Sequence, residues 1–575
     1  MRKLSRYMKP FLIPIILVVI LVFLEVLTEL KLPDLMSEIV DQGIVRGDIG
    51  FIWKTGGLML LVAFGGLLCA ILGNYLGAKA STGFGRDLRN ALFSHVEEFS
   101  LEEFNKFGTA SLITRTTNDI QQVQGVFLMI LRMVIRAPMM AVGGVLMALR
   151  KDAQLAWMLV GVLPLVAAVI AIVAVKGVPL FKILQKKLDS LNRVLREQLM
   201  GVRVIRAFDR GDFEEERFRE ANQDLTSTAL RVNRIMAVLM PLMSLLLNLT
   251  TITIIWFGSH RIDAGYMQVG DMMAFLQYAI QILMSLVMFS MIFVMLPRAS
   301  ASAERINDVL NTVPAIRDPE QPIIPERNEG VVQFENVTFS YPGAEAPVLH
   351  DISFTAKPGE VTAVIGGTGS GKSTLLDLIP RFYDVNEGRI TLDGVDIRDM
   401  TQEELRSRIG YIPQKAVLFS GTISQNIRRG KQTATEEEVK RAAQVAQAAD
   451  FIKEREDGYE SYISQGGTNV SGGQKQRLSI ARALVRQPRV YLLDDTFSAL
   501  DYKTDARLRT EFRKAAADST IIVVAQRIST VLHAEQIIVL EAGRVVGRGT
   551  HDELMESCQV YKEIVASQFS EEAVS

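Results

Sequence analysis

Six apolar stretches dominate the first 300 residues, near 11–32, 55–78, 126–148, 154–177, 237–259 and 272–296. Each reaches the roughly 20 residues that a helix needs to cross a bilayer. The segments 79–125 and 178–236 are polar but do not read as loops. "FKILQKKLDSLNRVLREQLMGVRVIRAF" keeps helical periodicity with few breakers. This predicts spans that run on as helices past the membrane, with short connections at 33–54, 149–153 and 260–271. After residue 310 the pattern changes. "NTVPAIRDPEQPIIPERNEG" carries four prolines, which predicts a linker over 311–330. From Val331 onward, short β-rich runs such as "VTAVIGG", "VYLLDD" and "TIIVVAQ" alternate with helical stretches. The predicted architecture is an α-helical membrane domain of six spans over 1–310, then an α/β domain with a largely parallel sheet over 331–575.

The first stretch does not read as a cleaved signal peptide. It is too long, lacks a small-residue cleavage site, and is followed by further spans. Arg2, Lys3, Arg6 and Lys9 precede it. The bias of basic residues toward the inside predicts a cytoplasmic N-terminus and places 79–125 and 178–236 inside as well. The chain has 575 residues, 49% of them apolar, and a net charge of −1, so global charge does not point to nucleic acid. Cys69 and Cys558 show neither metal spacing nor a disulfide framework.

Candidate chemistry lies in the second half. "GGTGSGKST" (Gly366, Gly367, Thr368, Gly369, Ser370, Gly371, Lys372, Ser373, Thr374) fits G-x-x-x-x-G-K-[ST] and follows an apolar strand. Its backbone amides and the next helix N-terminus can cradle phosphates. Lys372 is expected to reach the β- and γ-phosphates and Ser373 to hold Mg²⁺. "VYLLDD" ends in Asp494, which suits the same Mg²⁺, directly or through a water. "VSGGQKQR" sets Ser471, Gly472, Gly473 and Gln474 at the start of a helix, a second anion-ready terminus. One nucleotide does not need two such sites, so the second is expected to complete the pocket of another domain.

Together with "YIPQ" and "SALD", and in this order, these motifs resemble the nucleotide-binding domain of ATP-binding-cassette transporters. The six spans ahead of them resemble the membrane domain of an exporter half-transporter. The resemblance implies ATP and Mg²⁺ as cofactors, and two nucleotide domains that sandwich two ATPs head to tail. It implies that Tyr341 stacks on adenine and that Gln414 contacts Mg²⁺ and the membrane domain. Ser471 to Gln474 match the signature, while Ser498, Ala499, Leu500 and Asp501 match the D-loop. The stretches 101–120 and 196–208 resemble the intracellular loops whose short helices dock on nucleotide domains.

Two departures stand out. Asp495 occupies the position of the family's catalytic Glu. Its carboxylate is drawn back by one C–C bond, roughly 1.5 Å, a misplacement that can cost about 10²-fold in rate. Gln526 occupies the position of the switch His; it can hydrogen-bond a phosphate but cannot change protonation near neutral pH. The pattern resembles the degenerate-site subunit of heterodimeric bacterial multidrug-type exporters. That implies a second half-transporter bearing the Glu and the His, to whose ATP this chain lends its signature. A homodimer with two slow sites and an ATP-regulated channel are the competing readings.

In the membrane half, charges are costly and point to function or to pairing. Glu25 and Glu29 lie one turn apart on the first span, and Arg132 and Arg136 on the third. Either they pair between helices or they line a substrate cavity, with Glu25 and Arg136 the lining candidates. Met284, Met288, Met291 and Met295 share one face of the last span. That face is either ordinary packing or an adaptable apolar surface for a hydrophobic or amphipathic small-molecule substrate.

Overall fold

The computed structural model describes residues 2–290, 292–497 and 501–572. Met291 and the three D-loop positions Ser498, Ala499 and Leu500 lie outside the described residues. The chain forms two compact units, residues 1–97 with 108–312, and residues 98–107 with 313–575.

In the first unit, six helices among the described residues are long and apolar enough to cross a membrane. Ile49–Glu97 has 49 residues, Ala153–Ala207 has 55 and Gly211–Asp263 has 53. At 1.5 Å per residue these reach roughly 73–83 Å, far beyond the ~30 Å of a hydrocarbon core. The expected continuation of the spans as helices is therefore present. The first helix, Leu12–Glu38, buries Val18, Val22, Val26 and Leu30 at intervals of four, while Ile13, Ile16, Leu17, Ile20 and Leu24 are exposed. An outward apolar face is what a lipid environment favours.

Several charges within this unit are paired between helices. Lys151 bridges Asp34 (2.8 Å) and Asp271 (2.9 Å). Asp119 holds Arg305, and buried Asp152 holds Arg261 while capping the helix through Leu155 N–H. The helix backbone widens into a π-helical turn at Ile130–Val134. Pro138, one turn later, has no N–H to offer the Val134 carbonyl, which favours such a local rearrangement.

In the second unit, five parallel strands and one antiparallel edge strand form the main sheet. Its order is Arg544–Gly549, Gln536–Glu541, Val361–Gly366, Thr520–Val524, Val490–Asp494, Ile409–Ile412. Val490–Asp494 is buried along its whole length, as a sheet covered on both faces requires. A smaller antiparallel sheet is built on Val332–Phe339, flanked by Leu349–Ala356 and Glu387–Leu392. The short helix Leu101–Phe107 belongs to this unit, although its sequence neighbours are membrane helices. Buried Glu103 accepts from Ser100 N–H and Oγ and from Ala315 N–H, and Asn105 donates to the Tyr383 hydroxyl. Asn311 ends the last helix of the first unit, and no regular element follows until Val332. Both cysteines are free.

Candidate functional site

The phosphate loop and Gln526 follow, and Asp494 ends, parallel strands that are neighbours in the sheet. Strand Thr520–Val524 lies between the other two, and Val524 is level with both Val364 and Asp494. Ligands of open α/β sheets bind at this edge. Gly369 (φ +82) and Gly371 (φ +96) hold the left-handed backbone that the loop needs. A Cβ on Gly371 would lie 2.7 Å from Leu349 Cδ2, whereas one on Gly367 or Gly369 would meet nothing within 4 Å. The loop is therefore packed tightly beneath and open above. Lys372 Nζ donates to the carbonyls of Gly366 (2.9 Å) and Gly367 (2.7 Å), the ammonium lying across the loop. Burial holds Lys372 below the usual lysine range, and Asp494 and Asp495 act against that shift.

Ser373 Oγ donates to Asp494 Oδ1 at 3.0 Å, which joins the two groups expected to share a metal ion. Burial pushes the Asp494 carboxyl above the ordinary aspartate range, and the neighbouring Asp495 charge adds to this. Crowded, half-desolvated carboxylates with one buried lysine suit a divalent cation. Ser373, Asp494 and Gln414 would hold Mg²⁺, which when bound neutralises phosphate charge. Gln414 Nε2 donates to Asp495 Oδ2 at 3.4 Å. Asp495 itself has φ +41, an uncommon backbone for a residue with a side chain, and its N–H donates to the Val524 carbonyl. Strained residues of this kind cluster at active sites.

The Tyr341 hydroxyl bonds Thr374 Oγ1 (2.9 Å), and its ring meets Phe339 and Tyr383 edge-on. It stands beside the phosphate loop with its ring packed among aromatics. Ser471 caps the helix Gly472–Leu484: its Oγ accepts Gln474 N–H, and Gln474 Oε1 accepts Ser471 N–H. As an acceptor in that cap, the exposed Ser471 hydroxyl keeps its proton for an outside anion. Asp501 caps the helix Tyr502–Ala515 through Thr504 N–H.

Sequence reasoning passed over two contacts here. Asp377 Oδ1 accepts the Tyr411 hydroxyl at 3.1 Å, and burial pushes Asp377 up to about 6, with Asp494 adding to the shift. Gln568, on the C-terminal helix, bonds the backbone of Gln526 and Ile528. No local pattern announced either pair, since the partners are 34 and 40 or more residues apart.

In the membrane unit, a cavity of about 700 Å³ opens among the first, second, third and sixth spans. Glu25, Arg136, Met284 and Met288 line it, as do Glu29 and Arg132. Arg136 bridges both carboxylates, lying 3.5 Å from Glu25 and closer to Glu29. Pairing and cavity lining thus coincide. Met295 is not among the lining residues; it is exposed on the next helix, Ile292–Asn311. Among the described methionines of the face expected to run from Met284 to Met295, Met284 and Met288 line the cavity.

A membrane unit of six long helices and a phosphate-loop unit on one chain define a membrane-embedded nucleotide hydrolase. The family model described as ABC transporter transmembrane region matches residues 15–286, and that described as ABC transporter matches 349–498. An uncharacterized ABC transporter ATP-binding protein of Mycobacterium tuberculosis is 45% identical, over 98% of this chain and 97% of its own. An ATP-dependent lipid A-core flippase of Syntrophus aciditrophicus is 33% identical, over 88% and 83%. The solved structure of a bacterial Atm1-family ABC exporter with ATP bound has a TM-score of 0.81 at 26% identity, covering 96% of this chain and 98% of that one. The chain belongs to the ABC transporter family. It is an exporter half-transporter, an ATP-hydrolysing translocase that binds ATP with Mg²⁺ and works as a dimer in a lipid bilayer.

Proposed function

We propose that this chain is one subunit of a heterodimeric exporter of the cytoplasmic membrane, with its N-terminus and ATPase unit in the cytoplasm. Its own pocket is the degenerate, slowly hydrolysing one, and its Ser471–Gln474 signature completes the catalytic pocket of a partner that carries the Glu and the His. One observation carries this reading. The groups that hold nucleotide and metal are assembled at one sheet edge, yet both groups that assist hydrolysis are replaced, by Asp495 and Gln526. Glu-to-Asp alone shortens the reach to an attacking water, and Gln removes the titrating group. The cargo is hydrophobic or amphipathic, which the methionine-lined cavity and the lipid A-core flippase among the relatives both support. ATP closes the nucleotide dimer, and the long helices carry that closure to the membrane.

The test is turnover by the purified chain alone against turnover after co-expression with a Glu- and His-bearing half-transporter. The pair should hydrolyse ATP and move substrate far faster than the chain alone. Robust ATPase and transport by the chain as a homodimer would overturn the proposal, and passive ATP-gated flux down a gradient would make it a channel.

A further inference from the structure

The polar end of the membrane cavity presents groups of both signs, and their pairing is unequal. Arg136 is shared between Glu25 and Glu29, so both carboxylates have a cationic partner. Arg132 lines the same cavity and, among the described residues, makes no hydrogen bond or ion pair. Its charge reaches Glu25 only through space. An arginine in a membrane helix is costly unless something answers its five donors, and the Arg132 side chain is exposed to whatever enters the cavity. The other charged pairs of this unit, Lys151 with Asp34 and Asp271, and Asp152 with Arg261, show that the fold can supply such answers. Arg132 also sits in the π-helical turn Ile130–Val134, a backbone irregularity that is frequent at functional sites. On the facing helix, Gln281 Oε1 is buried in the cavity wall, again with no hydrogen-bond partner among the described residues. The cavity therefore presents a guanidinium without a protein partner among the described residues at its polar end, and a buried neutral acceptor elsewhere in its wall. Met129, Met133, Met284 and Met288 make an adaptable apolar wall around them.

We propose that this cavity selects amphiphiles with an anionic oxygen head group, a phosphate or sulfate, taken by Arg132. The proposal rests on the exporter reading of the cavity and narrows it to a head-group class. Pairing sets the sign. A cationic head would compete with Arg136 for carboxylates already bound, whereas an anionic head meets a guanidinium that is free to bond it in a bidentate way.

The experiment uses the full-length protein in nanodiscs of phosphatidylcholine. Scintillation-proximity binding is measured with tritiated dodecyl phosphate and tritiated dodecyltrimethylammonium, which share one tail. Unlabelled lysophosphatidic acid serves as the membrane-lipid competitor, and dodecyl maltoside as the neutral one. Dodecyl phosphate should bind at least about 10-fold more tightly than the cation. Arg132→Gln should weaken it about 10- to 100-fold, as loss of charged hydrogen bonds does, and Arg132→Lys should retain part of the affinity. Glu29→Gln, which releases Arg136 from one partner, should strengthen phosphate binding. Stronger competition by lysophosphatidic acid than by unlabelled dodecyl phosphate would name a lipid source; the reverse would name a soluble amphiphile. Equal binding of cation and anion, or phosphate binding unchanged in Arg132→Gln, would overturn the proposal. Binding needs no hydrolysis. An unselective cavity in a protein that transports would sink only the head-group assignment, and selective binding without transport would sink only the exporter reading.

Discussion

The side-chain amide of Gln568 clasps the backbone around Gln526. Its Nε2 donates to the Gln526 carbonyl at 2.6 Å, and its Oε1 accepts the Ile528 N–H at 2.8 Å. The helix Gln559–Glu572 therefore anchors the segment that carries Gln526, the proposed counterpart of the switch residue. Each such bond contributes about 1 kcal/mol. Gln568→Ala should raise amide exchange at Ile528 about 10-fold or more, read by hydrogen–deuterium exchange mass spectrometry, and leave strand Thr520–Val524 protected. Unchanged exchange at Ile528 would mean that the segment is held by other contacts.

Asp495 and Gln526 should account for slow turnover at this pocket. With the partner's own Glu replaced by Gln, Asp495→Glu combined with Gln526→His should raise hydrolysis by up to about 10²–10⁴-fold, the range of acid–base groups. Bound ATP should then be released sooner, as followed with labelled nucleotide. If rate and ATP lifetime both stay as they were, the defect lies in the partner's signature.

Lys372→Ala and Ser471→Ala should separate the two ends of the nucleotide unit. The first should abolish ATP photolabelling of this chain and leave residual hydrolysis at the partner's pocket. The second should leave labelling of this chain intact and slow the partner. A Ser471→Ala effect confined to this chain's own nucleotide would show that the head-to-tail assignment is wrong.

Asp377 gives a pH signature in nucleotide-free, metal-free protein. Its folded pKa, pushed up to about 6 by burial, exceeds the ordinary 3.8. The folded state then holds the proton more tightly, so this stabilisation is complete below about pH 4 and fades as pH rises through about 6. Asp377→Asn should remove that dependence and stabilise the ATPase unit at pH 7.5 by on the order of 1 kcal/mol, after allowance for solvent screening. Thermal melts of wild type and variant from pH 5 to pH 8 should diverge upward; parallel curves would show that Asp377 ionises freely.

Much of this protein is written in short-range pattern. Apolar runs of bilayer length, helical spacing through 178–236 and β-rich runs after Val331 are each decided within a few turns or one strand. The phosphate loop is legible for the same reason, since its glycines are required by local backbone angles at Gly369 and Gly371. Tertiary structure decided what depends on who meets whom. It brought Ser373 to Asp494 across 121 positions and gave Arg136 to both glutamates while leaving Arg132 without a partner of its own among the described residues. It set Met284 and Met288 in the cavity wall and placed Leu101–Phe107 in the ATPase unit. It also set Gln568 on the backbone of Gln526. Charge pairing, cavity shape and long-range hydrogen bonds depend on distances between elements, and those distances exist only once the elements have packed.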